Sequence, residues 1–126
     1  MNIEQLRGVI ARNMALDPND DFGTEKCWEE MTAILSEDII ATLHYIENEC
    51  TDEELYWLGA VFEDVAEKTQ SKELIQVLRN RLAKVTPETY CQQNLKNEHM
   101  RKWVDYTEYV RGLGVDIDFA EGKIDE

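Results

Sequence analysis

Residues able to carry bond-making chemistry are few in this chain of 126 residues, which has two histidines and three cysteines. His44 projects about 140° around a helix from Ile39, toward the polar side, where a histidine is simply solvated. His44 and Glu47 share a helical face, but two ligands do not complete a metal site. Cys91 and His99 make a nucleophile–base pair only if folding joins them. Cys50 falls on an apolar stripe and reads as a small core residue. Asp17, Asn19 and Asp21 match alternating ligand positions of a calcium loop. There, however, Phe22 stands where the glycine belongs and Trp28 where the bidentate glutamate belongs, so a solvated turn is the better reading. With no phosphate-binding glycine motif and no helical HExxH, no cofactor, no metal and no enzymatic activity are expected.

The carboxylates are more informative. Between residues 37 and 67 stand ten acids and no lysine or arginine. Placing residues about 100° apart over 52–67 gathers Leu55, Leu58, Phe62, Val65 and Ala66 on one face. The opposite face carries Glu53, Tyr56, Trp57, Ala60, Glu63, Asp64 and Glu67. A solvated face needs carboxylates but has no need of adjacent Tyr and Trp. Aromatic anchors inside a charged rim are the composition of a binding hot spot. The competing reading buries Trp57 under a neighbouring helix and leaves the acids to solubility. Glu47 and Glu49, with Glu37, Tyr45 and Asn48 outward, extend the negative surface if their helix pairs with the 52–67 helix. Clustered like charge repels at short range, and the return is electrostatic steering of a basic partner. The expected partner-binding residues are therefore Glu47, Glu49, Glu53, Tyr56, Trp57, Glu63, Asp64 and Glu67.

Helices must position these groups. Ile3, Leu6, Ile10 and Met14 repeat at helical spacing, and Asp17–Gly23 breaks the pattern. Thr24 caps a second helix with Trp28, Met31 and Leu35 inward, and Ser36 a third with Ile39, Leu43, Ile46 and Cys50. TDEE at 51–54 is a capping box. Ser71 starts a helix burying Leu74, Ile75, Leu78, Leu82 and Val85, and Thr86-Pro87 starts another. A further helix, with Met100, Trp103, Thr107 and Val110 on one face and Lys102, Asp105 and Tyr109 opposite, stops at Gly112-Leu113-Gly114. VDIDF at 115–119 alternates, and alone it reads as an extended tail. The expectation is an all-α single domain over 1–126, a bundle or stacked antiparallel hairpins of six to seven helices, with an acidic tail from 114 to 126.

The net charge of −14 and the 43% hydrophobic content suit a core-forming acidic protein and exclude free nucleic acid and anionic membrane as direct partners. The basic stripe Lys96, Arg101, Lys102 and Arg111 suggests single-stranded RNA only until that overall charge is counted. No run approaches the ~20 apolar residues of a membrane span, the N-terminus lacks a signal-peptide core, and widely spaced cysteines give no disulfide framework. The expected location is cytoplasmic.

A small acidic helical chain without catalytic residues resembles a bacterial immunity protein. ELYWLGAVFEDVAEKTQSKELIQVLRNRLAK, YCQQN and MRKWVDYTEYVR resemble immunity proteins of contact-dependent growth inhibition and related polymorphic toxin systems. The resemblance covers roughly residues 54–111 and transfers no functional residues. It implies a protein that binds the C-terminal toxin domain delivered by neighbouring cells, often a nuclease (here an RNase is favoured), and blocks its active site or an essential surface. The alternative is a non-catalytic adaptor, or a nucleic-acid mimic, binding another basic protein.

Overall fold

The computed structural model describes residues 1–93 and 105–125, which form helices and turns with no strand among them. Helix α1 spans Ile3–Ala15, α2 Asp21–Glu37, α3 Ile39–Asn48 and α4 Asp52–Leu58. The 3-10 turn Gly59–Val61 joins α4 to α5, Phe62–Thr69, in one bent unit. Then come α6, Lys72–Ala83, α7, Pro87–Gln93, and α8, Tyr106–Glu121. With the α4–α5 unit taken once, the described residues hold seven helices, within the expected six to seven. None of their helices is long and apolar enough to cross a membrane.

Side-chain caps set most helix starts. Asn2 Oδ1 accepts from Gln5 N–H at 3.0 Å, Ser71 Oγ from Leu74 N–H at 3.1 Å and Thr86 Oγ1 from Thr89 N–H at 3.1 Å. The Thr51 capping box is complete: Thr51 Oγ1 accepts from Glu54 N–H, and Glu54 Oε1 from Thr51 N–H, both at 3.0 Å. Two starts differ from expectation. Helix α2 begins at Asp21 because Asp20, not Thr24, caps it, accepting from Gly23 N–H at 2.8 Å. Aspartate is the stronger cap of the two and takes an orphan amide one turn before Thr24. Likewise α2 runs through Ser36, and Asp38 is the single extended residue that ends α2 and caps α3. Thr42 Oγ1 then donates to Leu35 O at 2.7 Å, satisfying one of the last carbonyls of α2.

The C-terminal segment corrects the sequence reading most. Residues 115–119 are helical, the chain passes through Gly112 and Gly114 without a left-handed residue, and 114–121 belongs to α8 and not to a tail. Tyr109, Leu113, Ile117 and Ala120 recur at helical spacing and are all buried. Four residues gained for the core outweigh two glycines, each about 1 kcal/mol poorer than alanine in a helix, and outweigh a short alternation that no second strand supports. Tyr109, expected on the outer side, is fully buried. Met100, Trp103, Lys96, Arg101, Lys102 and His99 lie outside the described residues.

Leu6, Met31, Leu55, Leu58, Leu74, Leu78 and Ile117 form the fully buried centre. The pairing is not a simple run of antiparallel hairpins. Helix α8 lies parallel to the α4–α5 unit: Tyr109 meets Asp52 and Tyr56, Asp116 meets Gly59, and Lys123 reaches Glu67 and Gln70. Against α6 it runs antiparallel, with Arg79 on Asp118 and Glu121 and the Val85 carbonyl on the Tyr106 hydroxyl. Gln70, left-handed at φ 52°, closes α5; its side chain donates to Lys123 O at 2.9 Å and accepts from Asp125 N–H at 2.7 Å.

The crossing of α8 over the 3-10 turn is close at Gly59. A β-carbon on Gly59 stands 2.7 Å from Asp116 Oδ2 and 2.9 Å from Leu113 Cδ2. Gly59→Ala is therefore expected to destabilise the fold by about 1–2 kcal/mol, the cost of overpacking less the backbone gain. A urea melt that shows no loss contradicts this close crossing.

Candidate functional site: an acidic, aromatic-lined double groove

Two adjoining grooves share Thr24 and Trp28. The first, of about 840 Å³, runs between α2 and α5. Its carboxylates are Asp21, Glu25 and Glu29, one helical turn apart on α2, and Asp64 and Glu67 on α5, against one base among the described residues, Lys68. The second, of about 680 Å³, lies between the end of α1, α4 and α8. Tyr56, Trp57 and Trp28 line it, with Asp17, Glu108 and Asp116 as acids and, among the described residues, Arg111 as the one base. Among the described residues, eight carboxylates and two bases thus line the grooves with three large aromatics, a steeper acidic excess than the 27 acids and 13 bases of the whole chain.

The expected partner-binding residues divide. Tyr56, Trp57, Asp64 and Glu67 lie on the double groove. Glu63 is half-buried beside Asp116. Glu53 faces a neighbouring depression with Arg7 and Met14. Glu47 and Glu49 are exposed at the end of α3 and line neither groove. Their joining to the α4 acids required α3 to pair with α4, whereas α3 packs mainly on α6 and α2. That packing turns Thr42, Tyr45 and Ile46 inward, so Tyr45, expected outward, is 0% exposed, while Ile40 is 78% exposed. His44 is exposed, and among the described residues no group of three or more His, Cys, Asp and Glu could hold a metal ion.

Tyr56 and Trp57 are half-buried and not free anchors. The Tyr56 ring stacks on Tyr109 at 6.0 Å and meets Trp57 edge-on at 6.0 Å. The Trp57 indole N–H is buried without a hydrogen-bond partner among the described residues. The more open aromatic is Trp28, 38% exposed, which the sequence reading had placed inward; Cys27 takes that core position. Trp28, the α2 acids and the α8 acids are the residues the reading missed. The α2 signal was present as Asp21, Glu25 and Glu29 at i, i+4 and i+8. Of the α8 acids, Asp116 fell in the segment read as a tail, and Glu108 lay in the helix read to stop at Gly112-Leu113-Gly114.

The groove is set on a rigid polar support. At the α3–α4 junction Arg81 Nη2 donates to Asp52 Oδ1 at 2.6 Å and to Cys50 O at 2.8 Å. Tyr109 donates its hydroxyl to Asp52 O at 2.5 Å. Arg7 Nε donates to Glu54 Oε2 at 2.6 Å, and Tyr45 donates to Glu54 Oε1 at 3.1 Å. Burial pushes the Cys50 thiol up to about 12 and raises the Tyr45 and Tyr109 phenols, so all three stay neutral. They serve as packing and hydrogen-bonding groups, not as nucleophiles.

Asp116 is different in kind. Burial first, and the nearby Glu63 second, raise its carboxyl above the ordinary aspartate value. Burial, with Asp116 and Glu108 adding, raises the Tyr56 phenol. A carboxyl whose pKa is higher folded than unfolded is protonated more readily when folded, so its ionisation opposes folding at neutral pH. Asp116→Asn is therefore expected to raise stability at neutral pH. The gain should fade as pH falls through the raised pKa toward the unfolded value of about 3.9. Urea melts of both proteins across that range read the effect; a loss at neutral pH contradicts it.

Comparison with protein-family models, curated proteins and solved structures finds no match to this chain.

Proposed function

We propose that this protein is a non-catalytic inhibitor that binds a basic protein domain through the double groove, and that the partner is a nuclease toxin, with an RNase favoured. The observation that carries the reading is the set of eight carboxylates, opposed among the described residues by Lys68 and Arg111, around Trp28, Tyr56 and Trp57. A nuclease must attract a polyanion, so its cleft or the surface beside it is basic. An acidic concave face occupies such a surface by the same attraction, with aromatics supplying the desolvated contact. The resemblance to immunity proteins of contact-dependent growth inhibition supports the same partner, and a cytoplasmic location follows from that role.

A second reading rests on the regular spacing of Asp21, Glu25 and Glu29: carboxylates about 6 Å apart along α2 offer a row of negative charge in place of phosphates, and the partner is then any nucleic-acid-binding protein. Titrating this protein into the toxin domain encoded beside its gene separates the two. Nuclease activity falling to zero at one equivalent supports the toxin reading. Full activity with excess protein refutes it. Displacement of nucleic acid from unrelated basic proteins favours the mimic.

A further inference from the structure

The fold pairs its two best-sheltered bridging carboxylates with a guanidinium, but not Asp116. Asp52 is paired with Arg81 and Glu54 with Arg7, each at 2.6 Å, and the more exposed Asp118 and Glu121 share Arg79. Among the described residues no lysine or arginine nitrogen lies within 4.0 Å of Asp116 or of Glu63 beside it. Arg111 lines the same groove without pairing with either. Asp116 Oδ2 sits over Gly59, 2.7 Å from where a β-carbon on that residue would stand, and Asp116 and Ala60 both line the groove. Trp57, Tyr56 and Trp28 wall that groove.

We infer that the groove between α4 and α8 receives an arginine side chain of the basic partner, its guanidinium on Asp116 and its plane against the aromatic wall. This rests on the basic-partner reading and deepens it. A planar guanidinium matches a carboxylate bidentately and stacks on aromatic rings, which an ammonium does not. It also sheds its hydration more easily than lysine on entering a partly buried site.

The test is a titration of the free protein at low ionic strength with N-acetylarginine amide, N-acetyllysine amide and the neutral N-acetylcitrulline amide. Binding is followed through the indole N–H signals of Trp57 and Trp28 by NMR. The expected result is saturable movement of these signals by arginine, with affinity about 5-fold or more above lysine and none for citrulline. Asp116→Asn should weaken arginine binding about 5–10-fold, while Glu47→Gln, distant from the groove, leaves it unchanged. Equal response to arginine and lysine, or to Asp116→Asn and the parent, overturns the inference. It leaves the basic-partner reading standing, because inhibition of the partner is measured separately. The arginine–lysine comparison on the parent protein needs no variant and decides the matter if Asp116→Asn does not fold.

Discussion

Replacing Arg81 with leucine is expected to remove about 3–5 kcal/mol of folding stability, the cost of stranding a buried charge. The guanidinium is 10% exposed and the Asp52 carboxylate 2%, so water has little access to the carboxylate left behind. One nitrogen of Arg81 also holds the Cys50 carbonyl, so the substitution frees a second buried acceptor. Against a total of about 5–15 kcal/mol for a domain of this size, most of the molecule should unfold at moderate urea. The double change Arg81→Leu with Asp52→Asn should recover a large part, because removing both charges costs far less than removing one. Chemical denaturation of the two variants measures this, and a loss below about 1 kcal/mol for Arg81→Leu shows that the pair behaves as a surface bridge. The consequence for function is indirect. The same junction fixes α4 against α6 and α8 through Asp52 and Tyr109, and α4 and α8 form the walls of the second groove.

Truncating Trp28 to alanine is expected to weaken partner binding about 30- to 1,000-fold, or 2–4 kcal/mol, mainly through faster dissociation. Trp28 is the aromatic common to both grooves and the most open of the three, so its loss should disturb the fold less than Trp57→Ala does. Reversing Glu25 and Glu29 to lysine should act differently: association slows and its salt dependence flattens, with less change in dissociation. Stopped-flow association and surface-bound dissociation rates separate the two effects. A Trp28→Ala variant that binds as tightly as the parent places the anchor elsewhere.

Helix content was legible wherever local chemistry and burial agreed. The capping box at Thr51, the caps at Ser71 and Thr86, and the inward Leu55, Leu58, Phe62 and Val65 all stand where periodicity put them. Errors arose where two local signals competed or where packing came from two sides. Asp20 and Thr24 both suit a cap, and spacing alone does not choose between them. Tyr45 and Tyr109 look amphipathic in sequence, yet each is enclosed by helices on more than one side, with its hydroxyl spent on Glu54 or the Asp52 carbonyl. The VDIDF alternation concealed the longer stripe through Tyr109, Leu113 and Ile117. Only half of the candidate surface could be read for the same reason. A helical wheel places Asp64 and Glu67 together on one helix, but not α2 across from α5, which is a property of tertiary packing.

The central claim is that the double groove binds a basic protein partner. Its most direct test is capture from cells carrying the neighbouring genes, at low and high salt, with the parent and the Glu25→Lys, Glu29→Lys, Asp64→Lys variant side by side. The account predicts one stoichiometric basic partner on the parent, weakened by salt, and its loss from a variant that still folds. Equal capture by both proteins, or none by the parent at either salt, contradicts it.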